Sequence, residues 1–401
     1  MKFLKYIIAI AIIILVAAVA IYLINTKSTH AAKPLFELLS SKETNIDFSN
    51  NVLDSENRNV LNYEYFYNGG GVAVGDINND GLEDIFFTSN EGENKLYLNL
   101  GNMKFKDITE DACPELAGRK GGWKTGVTMA DVNGDGLLDI YVCYSGNVDS
   151  NLRRNQLFIN QGNLKFKEEA KQYGLDDPGY STQAAFFDYD NDGDLDMFLL
   201  NHNIKKMDTH DIASFRKGVD PYAGDKLFEN QNGHFADVTA EAGIHQFPLT
   251  FGLGVAISDI NKDGWQDIYV TNDYNEPDYV YINNHDGTFT EKSADYFNHE
   301  SQSSMGVDIA DFNNDALPDI ITLDMLPEDN YRQKVLQVQE NYDNFQFMVN
   351  QGVGKQFMRN MLQLNNGDGT FSEIGQLSGV AKTDWSWSPL FADFDDDGYK
   401  D

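Results

Sequence analysis

Asp131-Val-Asn-Gly-Asp-Gly-Leu-Leu-Asp139-Ile-Tyr-Val-Cys143 joins a nine-residue acidic loop to a run of β-branched and aromatic residues. Oxygen-bearing side chains at positions 1, 3 and 5 of a tight loop converge on one point. Glycine at position 6 permits the sharp turn, while the carbonyl of position 7 and the carboxylate of position 9 can complete the set. Six or more hard oxygen donors suit Ca2+, whereas Mg2+ demands a smaller octahedron and keeps its waters. Zn2+ would want His or Cys, and the loop has neither. The apolar run after position 9 reads as a strand.

The spacing occurs six times. The first copy places Asp76, Asn78, Asp80, Leu82 and Asp84 at positions 1, 3, 5, 7 and 9; the second places Asp131, Asn133, Asp135, Leu137 and Asp139. The third has Asp188, Asp190, Asp192, Asp194 and Asp196, and the fourth Asp259, Asn261, Asp263, Trp265 and Asp267. The fifth has Asp311, Asn313, Asp315, Leu317 and Asp319, and the sixth Asp393, Asp395, Asp397, Tyr399 and Asp401. These are the candidate metal-site residues, for up to six Ca2+. One such loop could be a solvated Asn/Asp/Gly turn, but Asp at positions 1, 5 and 9 of all six argues against that. Ala316 stands where the other loops have glycine, so the fifth turn is expected to be strained or altered.

The flanks identify the kind of loop. An EF-hand needs Glu at position 12 and helices on both sides. Here position 12 is Phe87, Val142, Leu199, Val270 and Thr322 in the first five loops. Segments such as Gly71-Val-Ala-Val-Gly75 and Gly254-Val-Ala-Ile-Ser258 precede the loops and read as strands. Each loop is therefore predicted to turn a β-hairpin. A second unit follows, as in Asn94-Lys-Leu-Tyr-Leu-Asn99 and Asn155-Gln-Leu-Phe-Ile-Asn160, each leading through an Asn/Gly turn to a strand opening on Phe105 or Phe166. Two hairpins per repeat give four antiparallel strands, a propeller blade. Loop starts lie 55, 57, 71, 52 and 82 residues apart, in the range of propeller periods. The longer repeats carry inserts near Asn201–Gly224 and Asp324–Asn360, the latter with helical spacing around Val335–Met348. The expected fold is all-β, a β-propeller of four-stranded blades with five full repeats and the start of a sixth.

Loops, Gly-rich strands and Leu-Tyr-x-Asn hairpins together resemble the FG-GAP/VCBS repeat family, which includes the calcium-binding blades of integrin α-chains. Leu35-Phe-Glu-Leu-Leu-Ser-Ser-Lys-Glu-Thr-Asn-Ile-Asp-Phe48 and Asn62-Tyr-Glu-Tyr-Phe-Tyr-Asn-Gly-Gly-Gly71 are similar to a narrower group of bacterial envelope proteins related to cartilage acidic protein. In that group an ASPIC/UnbV domain follows the propeller. The resemblance covers about residues 35–401 and implies seven blades in the complete ring. The chain stops at position 9 of its sixth loop, so a C-terminally incomplete propeller is expected over 64–401.

The first 25 residues stand apart. Lys2 and Lys5 precede an uncharged run from Tyr6 to Ile24. Nineteen residues at about 1.5 Å each approach the thickness of a bilayer core. The segment is expected to be a signal-anchor or a signal peptide, cut after Ala20 or, less awkwardly, after Ala31. Residues 26–63 form an exported lead-in, and the protein is anchored at the cell envelope or secreted. Cys113 and Cys143 are too few for a disulfide scaffold, though they could pair.

Sixty-three acidic and 30 basic side chains give a net charge of −33, which excludes a binder relying on phosphate neutralisation. Hydrophobic residues make up 41% and aromatic ones 12%, too much for a solvating acidic tail. Twenty carboxylates sit at positions 1, 3, 5 and 9, and six Ca2+ would bring the charge to −21. Enzyme signatures are lacking: there is no Gly-x-Ser-x-Gly elbow and no His-Glu-x-x-His helix. Gly118-Arg-Lys-Gly-Gly-Trp-Lys-Thr125 has Trp123 where a phosphate loop needs glycine. His202 and His210 lie in an insert and could face a pocket, though they read first as solvated loop residues. Trp123, Trp265, Trp385 and Trp387 could stack on sugar rings, with Trp385 and Trp387 read first as packing residues of one strand and Trp265 as the best sugar-stacking candidate. The expected function is a calcium-rigidified module binding an extracellular or envelope protein or glycan, with membrane contact only through an uncleaved N-terminal helix. The alternative is a polysaccharide-acting enzyme or an accessory to glycan uptake.

Overall fold

The computed structural model describes residues 35–205, 212, 216, 218–274, 276–336 and 342–401. The expected N-terminal helix lies outside these residues, as does His210. No helix among the described residues is long and apolar enough to cross a membrane.

Five four-stranded antiparallel meanders account for the fold. The first sheet comprises Val72–Gly75, Asp84–Phe87, Lys95–Asn99 and Phe105–Asp107. The second comprises Trp123–Ala130, Asp139–Ser145, Gln156–Asn160 and Phe166–Glu168, and the third Ser181–Phe187, Asp196–Asn201, Lys226–Asn230 and Phe235–Asp237. Gly252–Ser258, Asp267–Asn272, Tyr279–Asn283 and Phe289–Glu291 form the fourth; Val307–Ala310, Asp319–Thr322, Met361–Asn365 and Phe371–Glu373 form the fifth. The two hairpins expected per repeat are thus present in all five full repeats.

Hydrophobic packing explains why the second strands are apolar without alternation. Along Asp139–Ser145, Ile140, Val142 and Tyr144 enter the core shared with the first sheet. Tyr141 and Cys143 of the same strand enter the core shared with the third. Met197 and Leu199 face one neighbour while Phe198 and Leu200 face the other. Both faces of a middle sheet are therefore buried, so both residue parities must be apolar. Each fully buried side chain of this size contributes about 1.5–3 kcal/mol. Cys113 and Cys143 belong to different cores and are free thiols.

First strands of successive sheets meet edge to edge. A Cβ on Gly126 would lie 2.3 Å from the Thr182 carbonyl oxygen. Only glycine permits that approach. Thr125 Oγ1 donates to Ser181 O at 2.7 Å, and Thr182 Oγ1 to Gly252 O at 3.0 Å, continuing the contacts from sheet to sheet.

The longer insert contains the expected helical turns, at Asn330–Leu336 and Tyr342–Asn350. Both inserts fold back: Ile212 packs with Leu249, Val353 and Met348. Trp385 and Trp387 are not in a strand and are 61% and 36% exposed, so the packing role expected for them is not realised. Asp384 before them takes a left-handed φ of 62°, and Pro389 after them cannot donate to a ladder.

Candidate metal centres

Every loop but the sixth is closed by the same register, with the residue before position 1 paired to position 9: Gly75 to Asp84, Ala130 to Asp139, Phe187 to Asp196, Ser258 to Asp267 and Ala310 to Asp319. Inside the turn, the position 1 carboxylate folds the backbone around itself. Its two oxygens accept the N–H groups of positions 5 and 6, as at Asp131, where Asp135 N lies at 3.0 Å and Gly136 N at 2.7 Å. Asp76, Asp188, Asp259, Asp311 and Asp393 make the same pair of bonds. Position 5 then accepts the N–H of position 7, at 2.8–3.0 Å in all six loops.

Two residues per loop, at positions 4 and 6, adopt positive φ. Position 4 is Asn, Asp, Gly or Lys, and position 6 is glycine except at Ala316. Ala316 takes φ 69° and still donates to Asp311 Oδ2 at 2.7 Å, so the turn is preserved rather than altered. Space around the equivalent glycines is open, with nothing within 4 Å of a Cβ on Gly81, Gly136, Gly193, Gly264 or Gly398. The alanine therefore costs only its backbone conformation, about 1–2 kcal/mol.

Position 9 is buried in the first five loops. Asp139 Oδ2 accepts the Val132 N–H at 3.1 Å, and Oδ1 accepts the Asn160 N–H at 2.7 Å from the second hairpin. Burial pushes the carboxyls of Asp139 and Asp196 up to about 7 and those of Asp267 and Asp319 up to about 6, against the lowering effect of these N–H donors. At Asp319 the Phe312 N–H plays the part that the Val132 N–H plays at Asp139, holding the carboxyl down against burial.

The third and sixth loops gather charge most closely. Asp188, Asp190 and Asp196 each bring one carboxylate oxygen within 4.8 Å of the others, as do Asp393, Asp395 and Asp401. Asp194 adds a fifth carboxylate to the third loop, and its Oδ1 is buried without a partner. Burial first, and the Asp192 charge second, raise the pKa of both Asp190 and Asp194. In the other four loops position 3 is Asn, whose Nδ2 donates to the position 5 carboxylate at 2.7–3.1 Å. The donor set is oxygen throughout, the position 1, 5 and 9 oxygens are oriented by backbone N–H groups, and one buried carboxylate oxygen, Asp194 Oδ1, is unpaired. These features fit a hard divalent cation such as Ca2+.

Sequence reasoning missed the asparagine ending each third strand. Asn160 Nδ2 donates to Leu138 O of its own loop at 3.1 Å and to Ile77 O of the preceding loop at 2.8 Å. Asn283 and Asn365 likewise reach Tyr189 O and Ile260 O of the loop before. Asn79 and Asn314, at position 4, donate to Gly136 O and Gly398 O of the next loop, both at 3.0 Å. The signal was a recurrent Asn in every hairpin, but its partner lies one repeat away.

Trp265 is stacked on His285 with ring centroids 4.8 Å apart, and His285 Nε2 lies 2.9 Å from Asp263 Oδ2. One indole face is thus already covered. His202, read first as a solvated loop residue, is 1% exposed and lines a cavity, the other role left open for it. Its Nε2 lies 2.7 Å from Ser145 Oγ and 3.3 Å from Tyr63 Oη, and burial lowers its pKa to about 3.

The family profile described as FG-GAP-like repeat matches residues 66–142, 143–199, 259–322 and 347–401. Human cartilage acidic protein 1 is 27% identical over 309 residues, covering 74% of this chain and 43% of the relative. The Xenopus tropicalis protein of that name is 28% identical over 254 residues, covering 63% and 35%. The chain thus spans less than half the length of the relatives it matches. Among solved structures, an Agrocybe aegerita lectin specific for non-reducing terminal N-acetylglucosamine aligns with TM-score 0.39 and 18% identity, covering 75% of this chain and 64% of the lectin. The V. cholerae biofilm matrix protein Bap1 aligns with TM-score 0.32 and 15% identity, covering 65% and 35%.

Proposed function

The chain belongs to the FG-GAP-like repeat family, and on that footing we propose that it is an exported, calcium-braced β-propeller serving as a binding module for a protein or glycan at the cell envelope or surface. The observation that carries the calcium part is the third loop. It holds five carboxylates in nine residues, three of them within 4.8 Å of one another and a fourth with a buried, unpaired oxygen. A bound Ca2+ supplies positive charge that offsets their repulsion. The protein's part is to hold Asp188, Asp190, Asp192, Asp194 and Asp196 in a turn already fixed by backbone N–H groups, and likewise in the other five loops. The propeller reading is supported by the stacking of consecutive four-stranded sheets and the meeting of their first strands. Export is supported by the sequence of the first 25 residues and by the similarity to cartilage acidic protein 1.

Binding, not turnover, is the activity proposed. A glycan array and a panel of immobilised envelope or matrix proteins, probed with and without Ca2+, test it. Calcium-dependent retention without release of reducing ends or unsaturated products is the expected result. Product release on a retained polysaccharide would contradict it.

A further inference from the structure

The first strands of all five sheets surround a cavity of about 350 Å³. Its walls include Gly70, Gly126, Gly254 and Gly306, so backbone is close to the interior. Tyr63, Tyr65, Trp123 and His202 contribute to its lining, and Trp387 is also there, partly open to solvent. Tyr63, Tyr65 and Trp123 belong to a small buried aromatic cluster with Phe66 and Phe251, apart from the cores between sheets.

The chemistry of this lining is unlike the rest of the surface. Among the described residues, no Asp, Glu, Lys or Arg lines it, in a chain carrying 63 acidic and 30 basic residues. His202 adds no charge, since burial keeps its imidazole neutral above about pH 3. The polar side chains among the lining residues include two amides, Asn68 and Gln183. His202 Nδ1 is buried without a partner.

We propose that the cavity binds one neutral sugar ring, as a monosaccharide or as the terminal residue of a neutral glycan; the proposal names the ligand class for the binding-module reading and rests on it. An ion entering this lining would lose hydration and find no counter-charge. A sugar ring presents an apolar face for the partly open Trp387 ring and vicinal hydroxyls for the amides of Asn68 and Gln183. The volume is at the low end for small-molecule pockets and holds one such ring with a few waters.

Saturation-transfer NMR on the full chain with Ca2+ present is the test. Glucose, galactose, mannose and N-acetylglucosamine are compared with glucuronate, glucosamine and choline. At least one neutral sugar is expected to bind with Kd of about 1 mM. Gln183→Leu and, separately, Trp387→Ala should each weaken it by about tenfold while leaving the melting curve in place. Absence of binding by every neutral sugar at about 50 mM overturns the proposal, as does tighter binding of glucuronate, glucosamine or choline. Binding insensitive to both substitutions also overturns it. Calcium-dependent glycan or protein retention that survives both substitutions would sink the cavity assignment while leaving the module reading intact.

Discussion

Asn160 Nδ2 donates at 2.8 Å to the carbonyl of Ile77, so a side chain of the second sheet is tied to the loop of the first. Asn160 Oδ1 also accepts the Gly162 N–H, and the Asn160 N–H is held by Asp139. The side-chain amide of one buried residue thus serves three backbone groups, the carbonyls of Ile77 and Leu138 and the Gly162 N–H, while Asp139 fixes its backbone.

Asn160→Ala should therefore cost more than an ordinary buried truncation. Two carbonyls, of Ile77 and Leu138, lose a buried donor. An expected loss of about 2–4 kcal/mol follows, read by denaturant unfolding. A loss below about 0.5 kcal/mol would show that the tie between repeats carries no stability.

Asp225 gives a prediction of opposite sign. The residue preceding each third strand accepts a backbone N–H from the segment ending the second strand or just beyond it, and it is Asn94, Asn155, Asp225, Asp278 and Asn360 in turn. The asparagines also donate through Nδ2, as Asn94 does to Leu116 O. Asp225 has an unpaired, buried Oδ2 at the corresponding atom, and burial pushes its carboxyl up to about 8. The folded chain therefore holds a proton that the unfolded chain releases near its ordinary value of 3.8. Stability from this group is present at low pH and declines as pH rises toward about 8. Asp225→Asn should raise the melting temperature by a few degrees at about pH 8, with the gain shrinking toward pH 4. A mutant that melts lower at every pH would contradict this.

Ala316→Gly should stabilise the fifth loop by about 1 kcal/mol, since it removes a left-handed alanine. Gly264→Ala should destabilise the fourth loop by a similar amount, without a clash, because open space surrounds that position. Paired melting curves check both signs. Equal melting temperatures for all three proteins would mean the conformation is not enforced.

Much of this was legible in the sequence because metal-loop chemistry restricts residue types at fixed spacing. Asp131 to Asp139 announced both a turn and the strand after it, whereas burial of Ile140–Tyr144 on two faces emerged only from the packing of that strand between two sheets. Other features depend on distances the sequence does not order. The partner of Asn160 is 83 residues away. His202 lies in what reads as a polar insert, yet it pairs by a bridge with Phe251, and its neighbour Asn203 bonds to Thr250 O. Trp385 and Trp387 alternate as strand residues do, but their stretch pairs with no strand among the described residues.

Calcium dependence of the melting curve decides the account. At tenfold excess over Kd each occupied loop should add about 1.4 kcal/mol, and six loops about 8 kcal/mol, comparable to a domain's net stability. The full chain stripped with EGTA should melt far below the same chain in millimolar Ca2+, and Asp188→Asn with Asp190→Asn should remove one loop's share of the difference. Superimposable curves with and without Ca2+ would contradict the calcium-braced structure.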